Sequence, residues 1–345
     1  MALHQTIQRV LLIGVKLERF APGPLPRAPQ LLAPLIESIA PAHRIFDQRA
    51  LHYGHRYRSG FWMIYLLSAI AVLFAVLPLA LGWDSPGHHL HSYAALWAFG
   101  EVLVIGIVSS IYWRGHRSHW HAQWLHARTT AELAWYLPML APLIDFDQPS
   151  TVSNWYLRVF DPGQHLRAVD EVATLCARNE PQARQLLVNA WSDPGFVASY
   201  SQWAIDVLLQ QVQYHRSLAG RQTALLHRVH KINTWLFGLT ALGASLHLFI
   251  HTLWLSLLTT FFPALGASLH GALAQSEAHQ LKNASEQLVR ELQGAIERIR
   301  GAIAAIGTDA NVAPLKKTIE AAIALILDEH QGWHLLVRPH ELPLG

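Results

Sequence analysis

The stretch RGHRSHWHAQWLH (residues 114–126) places four histidines and two tryptophans in thirteen positions. Imidazole nitrogens bind zinc and act as general bases, so the question is whether these side chains converge. On an α-helix, His116 and His119 share a face, whereas His121 points about 200° away from His119. His126 lies about 10 Å beyond His119 along the axis. At most two of the four therefore meet, and zinc needs three or four ligands.

Other histidines do not make a stronger site. The chain contains 22 histidines, so chance clusters are expected. HHLH (88–91) would bind a soft metal only weakly, and His247 and His251 share a helical face without the glutamate of an HExxH motif. No P-loop, GxGxxG or nucleophile–base pair occurs, and the single Cys176 excludes a disulfide framework. The sequence therefore predicts no enzyme, no cofactor and no metal, with the histidines packed or interfacial.

Glu101 is the most unusual acidic residue, because it interrupts a long apolar run. A carboxylate in the middle of a membrane span costs roughly 2.5–3.5 kcal/mol and usually faces a bundle interior, a partner or water. One interpretation is a pore-lining or interhelical role. The others are a protonated acid hydrogen-bonded to a neighbour such as Ser68, or a span displaced outward.

The elements that carry these residues are strongly apolar. Hydrophobic residues make up 52% of the 345 residues and charged ones 14%, against about 25% charged in an average soluble domain. Residues 61–83 contain no charge and would extend about 34 Å as a helix, enough to cross the hydrocarbon core. Residues 93–113 form a second apolar run with one charged residue, Glu101, and residues 84–92, which include Pro and Gly, join the two. A membrane hairpin is predicted.

A second apolar region begins at Ile232 and continues for 45 residues without Asp, Glu, Lys or Arg. That length fits two helices, near 234–251 and 253–272, with Pro263 kinking the second. The rival interpretation is one span plus a half-helix. The predicted fold class is all-α and integral to a membrane, with two helical hairpins (four spans) and a cytoplasmic helical domain.

Basic residues flank the predicted spans on one side only, which by the positive-inside rule places both chain ends in the cytoplasm. The connection between the first two spans contains no Lys or Arg. The net charge of +3 is too small to predict nucleic-acid binding. The stretch LLIGV (11–15) is too short for the apolar core of a signal peptide, so none is expected. The topology-determining residues are Arg56, Arg58, Arg114, Arg117, Arg228 and Lys231.

The predicted organisation has five segments. A short N-terminal cytoplasmic segment, in which QRVLLIGV could form one short strand, precedes the first hairpin with its flanking helices, a cytoplasmic helical region, the second hairpin and C-terminal cytoplasmic helices. HRYRSGFW (55–62) and HRVHKINTW (227–235) introduce the two hairpins similarly, which suggests an internal duplication. The segments are residues 1–43, 44–135, 136–215, 216–288 and 289–345.

Apolar residues repeat at steps of three and four in residues 285–306, which is the spacing of a helical packing seam. Pro314 then suits the start of another helix, so one interpretation is an antiparallel pair within the chain. The other is a seam between subunits of an oligomer. The seam residues are Val289, Leu292, Ile296, Ile299, Ile303 and Ile306.

A family resemblance rests on residues 53–77 (YGHRYRSGFWMIYLLSAIAVLFAVL), the hairpin, and the spacing of Trp124, Arg128 and Glu132 after it. This pattern resembles the SLATT family, the SMODS- and SLOG-associating two-transmembrane effectors of bacteria. Residues 205–300 resemble the second hairpin of larger relatives, which often carry a SLOG nucleotide-sensing domain. Here QRVLLIGVKLERF stands at the expected start of such a domain, but the domain does not follow.

The resemblance implies a multi-pass effector of the bacterial inner (plasma) membrane that assembles, perturbs the bilayer and serves a nucleotide-triggered anti-phage system. Its expected partners are the lipid bilayer, further copies of the chain and a nucleotide-sensing protein, with no nucleic acid. Two alternatives remain open: a membrane scaffold that forms no pore and recruits a cytoplasmic partner, and a transporter or metal-handling protein. Two hairpins of the same orientation count against a transporter built from inverted repeats.

Overall fold

The computed structural model describes residues 2–15, 26–83, 87, 93–144, 166–250, 252–309 and 311–336. Within these residues the secondary structure is helical and contains no strand. The α-helices, in chain order, are α1 (Leu3–Leu11), α2 (Ala33–Ala80), α3 (Ala94–Arg117), α4 (Trp120–Leu140), α5 (Leu166–Leu187), α6 (Pro194–His247), α7 (Phe262–Gln275), α8 (Ala278–Asp309) and α9 (Ala313–Leu336).

Two helices are exceptionally long. At 48 and 54 residues, α2 and α6 extend about 72 Å and 81 Å. Asp193 caps the N-terminus of α6, because its carboxylate accepts a hydrogen bond from the Gly195 amide at 2.9 Å. Pro194 occupies the first turn of the helix, where proline is favoured. Each helix is more than twice as long as a membrane is thick, so it carries both a polar and an apolar half.

The polar halves belong to a helical domain with one apolar core. The starts of α2 and α6, the end of α4, and α5, α8 and α9 all contribute buried residues to it. Leu35, Leu137, Tyr200, Leu292 and Ile319 are among those at most 1% exposed. Cys176 is also buried here, as expected for a small apolar residue.

A second cluster lies further along α2 and α6 and is much richer in aromatic side chains. Tyr57, Phe61 and Trp62 of α2 pack with Trp120 and Trp124 of α4 and with residues of α6 and α7. Helix α1 lies against this junction through partly buried apolar residues. The junction therefore connects the helical domain to the apolar halves of the long helices.

Within the described part of the chain, three segments are long and apolar enough to cross a membrane: Gln30–Ala80, Ala95–Arg117 and Leu257–Ile306. They correspond to the predicted spans 61–83, 93–113 and 253–272. The first segment ends before residues 81–83, the second begins after residues 93 and 94, and the third begins four residues after the start of the predicted span. The predicted span 234–251 is not among them. Because its helix ends at His247, a helical stretch of membrane length must reach back to Lys231 and Asn233, which lower its hydropathy.

The apolar ends nevertheless share an exposed apolar surface. Seven large apolar side chains of α3 are 40–66% exposed, and at the end of α6 and beyond it Phe237, Leu248 and Phe249 are 75–81% exposed. Extended exposed apolar surfaces mark membrane or protein contact surfaces. This arrangement is compatible with a membrane protein.

Pro263 follows a five-residue π-helical stretch, Leu257–Phe261, that leads into α7. Proline has no amide hydrogen to donate to the carbonyl four residues earlier, and wider π turns absorb such disruptions. The irregularity predicted at Pro263 is therefore a local change of helical winding.

The two halves of the chain repeat one order of elements. In each, a long helix (α2, α6) is followed by a returning helix (α3, α7), one left-handed residue, and a helix that packs along the first (α4, α8). The left-handed residues are His119, with φ 46°, and Glu277, with φ 53°. This order agrees with the internal duplication suggested by the sequence.

One expectation for the N-terminal segment was wrong. QRVLLIGV is not a strand, because residues up to Leu11 belong to α1 and the rest form a turn. Ile7 and Leu11 are one helical turn apart and pack on the junction, which favours the helix. Helix α2 begins at Ala33 and continues through Pro41, so it extends across the predicted segment boundary at residue 43.

Candidate functional site

A cavity of about 160 Å³ lies at the junction, where α1, α2, α4, α6 and the α7–α8 connection meet. One water needs roughly 10–15 Å³ of such space, so a group of several heavy atoms fits. Its lining combines cationic, amide and aromatic side chains, with a single carboxyl group. The polar lining residues are His4, Gln5, Gln8, Tyr57, Arg58, Tyr214, Arg221, Gln222, Gln275, Ser276 and Glu277.

Two glycines of α2 make the aromatic wall possible. A Cβ atom on Gly54 would lie 2.8 Å from Cδ1 of Trp124, and one on Gly60 would lie 3.3 Å from Cζ3 of Trp120. Because both positions lack a side chain, the tryptophans lie flat on α2, and each is less than 10% exposed. The spacing of Trp120 and Trp124 therefore forms the face of α4 that packs on α2.

Arg58 extends from α2 across this wall. Its Cζ atom lies 4.7 Å from the centroid of the Trp124 ring, which also stacks on Tyr57 at 5.9 Å. Burial, followed by repulsion from Arg128 and Arg221, lowers the pKa of Arg58 to about 10. Arg58 remains charged at neutral pH. Among the described residues neither Arg58 nor Arg221 has a carboxylate in ion-pair distance.

Helix α1 closes one side of the cavity. The ring Nδ1 of His4 lies 3.2 Å from the Ser59 hydroxyl, and Gln5 Nε2 lies 3.5 Å from Nε2 of His55. The other end of α1 is held by Arg228, which donates to the carbonyl oxygens of Leu11 and Ile13. A cation at a helix C-terminus is electrostatically favourable, so Arg228 fixes α1 against α6.

The histidine in this wall is not a second cation. His4 is 3% exposed, and burial, followed by the nearby Arg58, His55 and Arg221, lowers its pKa to about 4. The ring is therefore neutral near pH 7 and offers a hydrogen bond without a charge.

Among the described residues that line the cavity, Glu277 supplies the only carboxyl group. It joins α7 to α8 in the left-handed conformation, which costs a non-glycine residue roughly 1–2 kcal/mol. Burial raises the pKa of Glu277 to about 7. Near neutral pH this carboxyl is therefore partly protonated and adds less than a full negative charge to the cavity.

The prediction that the clustered histidines of residues 116–126 lie on one helix was wrong, because α3 ends at Arg117, His119 is left-handed and α4 begins at Trp120. His116 and His119 are exposed, with ring centroids 6.3 Å apart, whereas His121 is buried against Tyr57 at 4.6 Å. His126 faces Glu171 of α5 at 3.7 Å. Within the described residues no three His, Cys, Asp or Glu side chains are grouped so as to hold a metal. HHLH (88–91) and His251 lie outside the described residues.

Two of the remaining predicted site residues form an ion pair. Arg128 pairs with Glu132 one turn along α4, and this carboxylate raises the pKa of Arg128. Glu101 of α3 is half-buried, and among the described residues it has no hydrogen bond or cation. Ser68 donates instead to the carbonyl of Ile64 at 2.8 Å.

The predicted seam lies largely inside the chain. Leu292, Ile296 and Ile299 are at most 2% exposed and share the core of the helical domain with α9. Val289 and Ile306 pack against that core, and Ile303 is 38% exposed. These contacts correspond to the interpretation as a helix pair within one chain.

The topology-determining residues separate into two groups. Arg56, Arg114, Arg117 and Lys231 are exposed, whereas Arg58 lines the cavity and Arg228 holds α1. Sequence analysis missed the cavity, because its walls come from elements up to 270 residues apart in the chain. Gly54 and Gly60, spaced to accept two tryptophans, were the available signal.

Comparison of the chain with protein-family models, curated proteins and solved structures found no match in any of the three. The resemblance to the SLATT family therefore stays a prediction.

Proposed function

We propose that the chain is a membrane effector, with two helical hairpins in the bilayer and a cytoplasmic helical domain that controls them. The supporting observation is the continuity of α2 and α6, which pass without interruption from the buried core of the helical domain into the apolar ends. A displacement in the helical domain would be transmitted along these helices into the apolar region.

Equal depth of the two hairpins supports four crossings. Helix α7 runs antiparallel to α2, with Gln275 donating to the Tyr57 hydroxyl at 2.9 Å and Gly271 packed against Tyr65. Continued at the helical rise, these two contacts bring Leu257 to about the level of residues 75–79, near the end of α2. The second hairpin therefore reaches as far as the first.

The end of α6 reaches the same level. A Cβ atom on Gly243 would lie 2.8 Å from Cβ of Leu258, so the last turns of α6 lie beside the π-helical stretch. Small residues at such crossings let helices approach closely, which is the usual packing of helices in lipid. A short helical end whose polar residues face α7 suits a crossing inside a bundle.

A topology experiment tests the four crossings. Cys176 is 1% exposed and is replaced by alanine, after which single cysteines are placed at Gly87, Phe249 or Glu297. An impermeant maleimide added to intact bacterial cells should label positions 87 and 249 at the outer ends of the hairpins, but not 297. Labelling at 87 without 249 would contradict a full second hairpin, and labelling at 297 would contradict the orientation.

The effector role is tested by membrane potential. Inducing the wild-type chain should depolarise the cells, and Glu101→Gln should alter the ion leak, whereas the exposed Glu297→Gln should not. A membrane potential that stays intact while the protein is in the bilayer would contradict disruption and favour the scaffold alternative. In that case, removing α9 should abolish recruitment of a partner while Glu101→Gln has no effect.

A further inference from the structure

The junction cavity has the composition of an anion site. Two guanidinium groups from different long helices, Arg58 of α2 and Arg221 of α6, line one space of about 160 Å³. Among the described residues neither is neutralised by an ion pair. Placing two uncompensated cations together is unfavourable unless an anion joins them.

The remaining lining completes this chemistry. Gln5 and Gln8 of α1 and Gln222 of α6 supply amide donors, and Gln222 is 8% exposed. The Trp124 ring holds Arg58 from one side, so its guanidinium is positioned before a ligand arrives. Phosphate groups suit such a site, because guanidinium binds them through paired hydrogen bonds.

We propose that this cavity binds a phosphate group, held by Arg58 and Arg221 and covered by α1. A phosphate here would contact α1, α2 and α6 together, and would tie the N-terminal helix to both long helices. Binding would therefore change how firmly the two halves of the chain are joined.

The phosphate can come from a soluble compound or from a lipid headgroup. Binding of a lipid headgroup requires that the junction lies near the membrane, as proposed above. Binding of a soluble phosphate compound does not require it. The two sources are separated by using the full chain in nanodiscs of neutral phosphatidylcholine, with inorganic phosphate added at constant ionic strength, and in nanodiscs that also contain phosphatidylglycerol. The readout is the midpoint of thermal unfolding.

Arg58→Gln, Arg221→Gln and Arg56→Gln provide the matched variants. Arg56 is exposed, lies two residues from Arg58 and is absent from the cavity lining, so it controls for the loss of one positive charge. Loss of one charge-assisted contact should weaken apparent binding about tenfold or more, and Arg56→Gln should leave it within about twofold. Arg221 is also exposed, so its replacement keeps the test valid if Arg58→Gln folds poorly.

Stabilisation by inorganic phosphate that is lost in Arg221→Gln would support a soluble ligand. Stabilisation by phosphatidylglycerol alone, lost in the same variant, would support a lipid headgroup. Stabilisation by neither probe, or stabilisation that Arg56→Gln and Arg221→Gln reduce equally, would overturn the proposal. A failure of the topology experiment together with stabilisation by phosphate would remove the membrane placement and leave the anion site.

Discussion

Replacing Gly54 by alanine tests the packing of α4 on α2. The new Cβ atom would lie 2.8 Å from Cδ1 and 2.9 Å from Nε1 of Trp124. Carbon atoms in contact prefer about 3.5–4.0 Å, so the ring would have to move by roughly 0.7–1.2 Å. Trp124 is 8% exposed and lies between Tyr57 and Arg58, which leaves it little room to move.

Two opposing effects set the magnitude. Alanine in place of glycine stabilises a helix interior by about 1 kcal/mol, whereas overpacking a filled site costs about 1–3 kcal/mol. Gly220 of α6 is a matched control, because a Cβ atom there meets nothing within 4 Å. The free energy of unfolding of Gly54→Ala should therefore lie about 1–3 kcal/mol below that of Gly220→Ala.

The measurement is thermal unfolding in detergent, followed by the helical circular dichroism signal. A difference of 1 kcal/mol shifts the midpoint by roughly 2 °C in a chain of this size. Gly54→Ala is then repeated in a Trp124→Ala background, where the clash is absent and the substitution should stabilise as it does at Gly220. Equal midpoints for Gly54→Ala and Gly220→Ala in the wild-type background would refute the packing argument.

Three further substitutions test the carboxyl group of the cavity and the seam. Burial raises the pKa of Glu277 from 4.5 to about 7, so the folded state loses stability as the pH rises from about 4.5 to 7. Glu277→Gln should therefore raise the unfolding midpoint at pH 8 relative to wild type and change it little at pH 4. The midpoints of the variant and wild type are compared at each pH, because the lowered pKa of His4 makes stability rise with pH between about 4 and 6.5 in both proteins. An equal difference between the two midpoints at pH 4 and pH 8 would contradict the raised pKa of Glu277. Leu292→Ala should cost about 2–5 kcal/mol and Ile303→Ala, 38% exposed, far less, as measured by denaturant unfolding; the reverse order would favour a seam between subunits.

Much of the fold was predictable because it follows from local patterns. The apolar runs predicted three of the segments able to cross a membrane, and the three-and-four spacing predicted the helix pair of α8 and α9. The separation of His116 from His121 and His126 was predicted from a single helix, whereas a break at His119 places them on two helices, α3 and α4. The failures concern contacts between distant segments: QRVLLIGV looks like a strand in isolation, but the end of α1 is helical where Leu11 packs on the junction.

The candidate site depended almost entirely on such distant contacts. Arg58 and Arg228 look alike in sequence, as basic residues before an apolar run, and both were predicted to determine topology. In the structure, one lines a cavity beside Trp124 and the other holds the carbonyl end of α1. Their surroundings come from residues far away in the chain, and no local pattern records those neighbours.

The sequence by itself determined the helical class, the apolar segments and the basic flanks, because periodicity and hydropathy act through neighbours within one helix. The tertiary structure decided which arginines lack an ion-pair partner, why Gly54 and Gly60 face tryptophans, and that Glu277 shares a cavity with His4. Those properties arise where five or more helices meet, and burial and electrostatic repulsion there depend on the position of every neighbour.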